Sequence, residues 1–84
     1  MDLTLKNGTL VTESGIVHAD IGIQGGKVVQ IGSALGTADR EIDATDKYVV
    51  PGGVEIHTHI DGVLHGMRTV DDWYYASLGA ACGG

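Results

Sequence analysis

Pro51-Gly52-Gly53-Val54-Glu55-Ile56-His57-Thr58-His59 is the stretch on which the fold turns. Proline cannot donate to a ladder, and two glycines free the backbone to change direction, so the opening triplet marks a boundary. A short apolar run follows and ends in two histidines one residue apart. On an extended strand, side chains at i and i+2 point to the same side. Two imidazoles on that spacing reach one metal ion without distorting the backbone, which makes His57 and His59 candidate metal ligands. They are half of a site, because zinc usually takes three protein ligands plus water when catalytic and four when structural.

Downstream, the pattern predicts a strand over Val54–Thr58 and a loop from Asp61 to Arg68 carrying Gly62 and Gly66. Thr69-Val70-Asp71-Asp72 fits an N-cap followed by acids in a first helical turn, where the helix dipole favours negative charge. Trp73 to Cys82 reads as an alanine-rich helix that Gly83-Gly84 stops. Strand, loop and helix in that order form one β/α unit of a parallel sheet, placing the chain in the α/β class. Such a unit cannot bury its strand alone, and the next parallel strand is expected beyond Gly84.

Upstream, the first fifty residues read as short strands separated by turns. Asn7-Gly8 is a strong hairpin dipeptide, Ser14-Gly15 turns the chain again, and Gly25-Gly26 leads into Lys27–Ile31. Further short strands are expected at Glu41–Asp43 and Tyr48–Val50. Spacing of this kind suggests a small antiparallel sheet or half of a sandwich. The domain reading is therefore residues 1–51 as one piece and 52–84 as another.

A net charge of −6 and a pI near 4.8 argue against nucleic acid or anionic membranes as partners. No apolar run is long enough to span a bilayer, and the first residues lack a signal-peptide core. Cys82 is the only cysteine, so no internal disulfide forms and a reducing, cytoplasmic location is expected. Gly25-Gly26-Lys27 does not make a phosphate loop. Val28 stands where that motif needs Ser or Thr, and Ile21 where it needs an earlier glycine.

Taken together, Pro51–His59, Thr69–Trp73 and Ala80–Gly84 resemble the amidohydrolase superfamily, and most closely its hydantoinase and dihydropyrimidinase branch. Leu5–Thr9 and Ile42–Thr45 resemble the same family's N-terminus. The likeness covers essentially all 84 residues but only the first fifth or so of such an enzyme, because a (β/α)₈ barrel alone needs about 250 residues. The resemblance implies a small β-sandwich, begun by residues 1–51, beside a metal-dependent hydrolase barrel whose first β/α unit is 52–84. It implies that His57 and His59 bind the more buried of two divalent ions, usually zinc. The remaining ligands (a carboxylated lysine, two later histidines and an aspartate) would lie beyond Gly84. It further implies hydrolytic opening of a cyclic amide, a hydantoin or dihydropyrimidine, by a homo-oligomer, tetrameric in the family. Dihydroorotase and allantoinase relatives share the His-x-His pair, so that pair does not choose the substrate. A non-catalytic, truncated or assembly relative is the competing reading. No catalytic residue is expected within these 84, which alone should hydrolyse nothing at a useful rate.

By the same resemblance, the loop from Ile60 to Val70 shapes the pocket around the substrate's side group, with Asp61, Leu64 and His65 as candidates. Asp61 either orients one of the metal-binding histidines or caps a turn. His65 either touches substrate or is a solvated loop histidine, and its loop position favours the second. His18 reads as surface, Cys82 as packing at a helix end, and Trp73 as packing between helix and barrel.

Overall fold

The computed structural model describes residues 1–84 as two units, Met1–Pro51 and Gly52–Gly84. The first is a five-stranded sheet of β1 (Leu3–Thr12), β2 (Gly15–Gln24), β3 (Lys27–Gly32), β4 (Arg40–Asp43) and β5 (Tyr48–Val49). β1, β2 and β3 form an antiparallel meander in the order β3-β2-β1. Its tight turns follow the sequence. Glu13-Ser14 joins β1 to β2, with Thr12 paired to Gly15. Gly25 and Gly26 join β2 to β3 at φ of 56° and 73°, the left-handed pair that a hairpin matching the sheet's twist requires. The Asp2 carboxylate accepts from Gly25 N–H at 2.6 Å and fastens that turn.

Two expectations are corrected here. The sheet is mixed, because β4 and β5 both run parallel to β1, β4 beside Leu3–Lys6 and β5 beside Thr9–Leu10. The long connection after β3 makes this possible, since parallel strands need a crossover where antiparallel ones need only a hairpin. Leu35, on that connection, is 7% exposed.

Asn7-Gly8, read as a hairpin turn, is instead a β-bulge inside β1. The pairing with β2 slips between Leu5 and Gly8, and Asn7 takes φ of 61°. Asn7 tolerates that conformation because its short polar side chain bonds locally. Its backbone N–H donates to Asp20 Oδ1 at 2.8 Å and its Nδ2 to Asp43 Oδ1 at 3.1 Å. The bulge falls where β1 passes from β4 to β5. Thr45 donates to the same Asp43 oxygen through its hydroxyl at 2.6 Å and its N–H at 3.0 Å. These bonds, the Thr45 hydroxyl first, hold the Asp43 carboxyl below the usual aspartate range.

The core of this unit is thin: Leu10, Ile21, Leu35 and Ala44 are its buried apolar residues, with Thr4 fully buried among the strands. The Thr4 hydroxyl has no hydrogen-bond partner, an arrangement that costs stability. Gly8 is required by close approach, since a Cβ there would lie 2.9 Å from Val49 Cγ2. Ile16, Val28, Val29 and Ile31 are each more than half exposed, so β2 and β3 carry apolar side chains that this chain leaves uncovered.

The second unit holds a two-stranded hairpin, β6 (Val63–Leu64) with β7 (Met67–Arg68), and the helix α1 (Trp73–Gly83). The helix is one residue longer than expected and starts later than the Thr69 cap would place it. Asp72 is the N-cap, its carboxylate accepting from Tyr75 N–H at 2.9 Å, and no acid lies in the first turn. Asp is as good a cap as Thr and sits directly before the helical run, so it takes the position. The helix buries none of its residues: Trp73 is 63% exposed, and Cys82, expected to pack at the helix end, is exposed. No helix is long and apolar enough to cross a membrane.

Candidate functional site

The segment that carries the two histidines is irregular from Gly52 to Ile60, so the strand expected over Val54–Thr58 does not form. The reason lies in how strands are stabilised, since an extended segment takes its ladder bonds from neighbours and no strand of this chain pairs with it. Val54 and Ile56 are 86% and 92% exposed. Two local bonds hold the segment: Gly53 N–H to Gly84 O at 2.8 Å, and His57 N–H to Glu55 Oε1 at 2.8 Å.

Even without a ladder, the imidazoles of His57 and His59 lie side by side, ring centroids 5.4 Å apart and planes tilted by 60°. The bond His57 makes is through its backbone, so it does not occupy the ring nitrogens. No third His, Cys, Asp or Glu joins the pair in a cluster able to hold a metal.

After Ile60 the chain folds into more than a loop. His65 and Gly66 take φ of 49° and 77°, the two-residue turn that Asn-Gly makes elsewhere, and β6 and β7 pair across it. Leu64 stands opposite Met67 and Val63 opposite Arg68. Because facing residues share a side of a hairpin, one side carries the apolar Leu64–Met67 pair and the other carries Val63 and Arg68. The base is closed by Thr69 N–H to Gly62 O at 2.9 Å and Gly62 N–H to Thr69 Oγ1 at 3.0 Å. Asp61, at φ of 49°, accepts from Arg68 Nη2 at 3.2 Å, so Arg68 rather than either histidine engages its carboxylate. Its N–H bonds Asp71 O at 3.2 Å. His65 is exposed at the turn.

A cavity of about 600 Å³ lies within this unit. Glu55, Thr58, His59 and Ile60 form one wall, Thr69, Val70 and Asp71 a second, and Tyr75, Ala76, Gly79 and Ala80 of α1 a third. His59 therefore looks onto the same space as the hairpin base, and the two carboxylates there favour a cation. The sequence reading missed Thr69 as a hairpin fastener and Glu55 as the acceptor of His57 N–H. The signal for the hairpin was available in His65-Gly66, which stands between Leu64 and Met67 as Asn-Gly would.

Residues 1–57 match the family described as urease alpha-subunit, N-terminal domain. Over 84 residues the chain is 51% identical to a D-hydantoinase of Ralstonia pickettii, covering all of this chain and 18% of that protein. The chain belongs to the amidohydrolase superfamily, on its hydantoinase and dihydropyrimidinase branch. A solved D-hydantoinase superposes on the hydantoinase-branch chain with a TM-score of 0.91 at 51% identity, over 100% of this chain and 18% of the other. The dihydropyrimidinase of Brevibacillus agri gives 0.89 at 45% identity, again over 100% and 18%. The chain thus spans about a fifth of the length of these relatives.

Proposed function

We propose that these residues are the N-terminal portion of a metal-dependent cyclic amidohydrolase that opens a hydantoin or dihydropyrimidine ring. In this reading residues 1–51 contribute strands to a small β-sandwich, and 52–84 supply the first β/α unit of a (β/α)₈ barrel. The observation that carries it is the geometry of the histidine pair. Two rings about 5 Å apart could each offer one nitrogen to a single cation. The observed separation is 5.4 Å. Neutral imidazoles also suit a borderline divalent ion such as zinc. The donors present fit the group.

A bound divalent ion supplies the two things an unactivated amide needs, water acidified towards a pKa of about 7 and a polarised carbonyl. This chain's own residues do the holding and shaping. His57 and His59 would hold the ion, their rings lying side by side, and the Glu55 carboxylate accepts from the His57 backbone N–H. Thr58, His59, Thr69 and Asp71 line the cavity that substrate would enter. The rest of the ligand set and the general base belong to the longer chain, so the 84 residues alone are inactive.

The test is turnover of hydantoin and of dihydrouracil by the intact polypeptide, before and after exhaustive chelation. Ring opening that disappears on chelation and returns with zinc supports the reading. Undiminished turnover by metal-free protein contradicts it, and no turnover of either ring favours a non-catalytic relative.

A further inference from the structure

We propose that Asn7 is a spontaneous modification site: its carboxamide is lost through the Gly8 amide, and the carboxylate that replaces it unfastens β1 where that strand passes from β4 to β5. The fold demands both members of this pair. Asn7 holds φ of 61°, a conformation that few residues besides glycine, asparagine and aspartate accept. Gly8 cannot give way to a bulkier residue, since a Cβ there would lie 2.9 Å from Val49 Cγ2. Asparagine before glycine is also the dipeptide in which ring closure meets least hindrance, because the residue carrying the attacking amide has no side chain. The Asn7 side of the pair is exposed to water, while Gly8 is buried.

The step balances with water alone. The Gly8 nitrogen attacks Cγ of Asn7, an N–C bond forms and the Cγ–Nδ2 bond breaks. Nδ2 leaves as ammonia with the proton that the Gly8 nitrogen gives up. Water then opens the cyclic imide at either carbonyl, its hydroxyl going to carbon and its proton to nitrogen. The product is aspartate or, with the chain rerouted through the side chain, isoaspartate. In the folded bulge Nδ2 donates to Asp43 Oδ1 at 3.1 Å, and Gly8 is paired with Ala19. Those holds slow the attack, so it proceeds during local openings. Either product loses the Nδ2 donor and sets a new anion against Asp43. It also lies beside Asp20, whose Oδ1 accepts from Asn7 N–H at 2.8 Å. Lys6 gives little relief, because at 3.7 Å from Asp20 and 3.9 Å from Glu41 it already serves two carboxylates. Like charges this close repel, and the turn that Asp43 holds through Thr45 comes away from β1.

The experiment ages the intact polypeptide at mildly alkaline pH and follows Asn7 by acidic digestion and peptide mass, with isoaspartyl methyltransferase labelling the rerouted form. Steady conversion at Asn7 is expected, with isoaspartate in excess, the mark of an imide intermediate. Asp43→Ala should convert about tenfold faster, the scale of one lost hydrogen bond to a charged group. As a stand-in for the product, Asn7→Asp should lower amide-exchange protection at Ala44 and Thr45 about tenfold. Asn7→Gly, which accepts the same φ without adding charge, should lower it less. No conversion at Asn7 over a period in which the denatured chain converts overturns the inference. Conversion of Asp43→Ala at the parent rate overturns it, as does an equal loss of protection in Asn7→Asp and Asn7→Gly. Should Asp43→Ala fail to fold, Asp43→Asn, which keeps an oxygen acceptor without the charge, takes its place: faster conversion than the parent supports the inference, and the parent rate overturns it. None of these readouts involves metal or ring opening, so their failure leaves the hydrolase reading standing.

Discussion

The two units differ in where their partners come from. In Met1–Pro51 every strand is paired within the chain, and even the irregular point, the Asn7 bulge, is satisfied by Asp20 and Asp43. In Gly52–Gly84 the histidine segment has no ladder, the helix buries nothing, and Val54, Ile56 and Val70 stand almost fully exposed. The first unit is ordered by strand pairing, and the second has one short hairpin and an exposed helix. Yet the second unit is where the chemistry-bearing residues gather. Its order is local, made of caps, turns and side-chain bonds spanning a few residues, and such order positions a histidine pair without stabilising a core.

The sharpest way to break this contrast is His57→Ala in the intact polypeptide. Removing an expected ligand should cost more than about a hundredfold in metal affinity and in ring opening, since even the groups behind a ligand are worth 10–100-fold. The same change should leave the thermal unfolding of the sheet unit unmoved, because His57 lies in the other unit. A sheet that loosens with it would mean that the units are not separable in the way described.

The smallest effect belongs to the first unit. Asp43 has its pKa lowered in the folded chain, chiefly by the Thr45 hydroxyl and then by Asn7. Its contribution to stability is therefore fully present above the unfolded aspartate value of about 3.9 and is lost as pH falls through the lower folded value. Protection of the Thr45 N–H and of the Asn7 side-chain amide against exchange should fall as the pH drops below about 4, and in Asp43→Ala that acid dependence should vanish. Protection of both groups unchanged by acid in the parent would show that the bulge is not held by this carboxylate.

The same contrast explains what the sequence disclosed. Gly25-Gly26 and the strands it joins were legible because a two-residue turn is chosen by the residues in it, whereas the turn expected at Ser14-Gly15 falls one residue earlier, at Glu13-Ser14. Asn7-Gly8 misled, since the left-handed conformation that suits a hairpin also suits a bulge, and only the pairing of Asp20 and Asp43 with Asn7 decides between them. The parallel pairing of β4 and β5 was invisible because it depends on residues more than thirty positions away in β1. In the second unit the His57–His59 spacing was read correctly as bringing the rings together, although the strand invoked to do so is absent. A bend at His57, with its N–H held by Glu55, leaves the rings side by side instead.

The most direct test of the central claim is anomalous diffraction from zinc-loaded crystals of the intact polypeptide. The account predicts a peak within about 2.0–2.1 Å of one ring nitrogen from each of His57 and His59. A zinc site elsewhere in the molecule, with these two rings unligated, would contradict it.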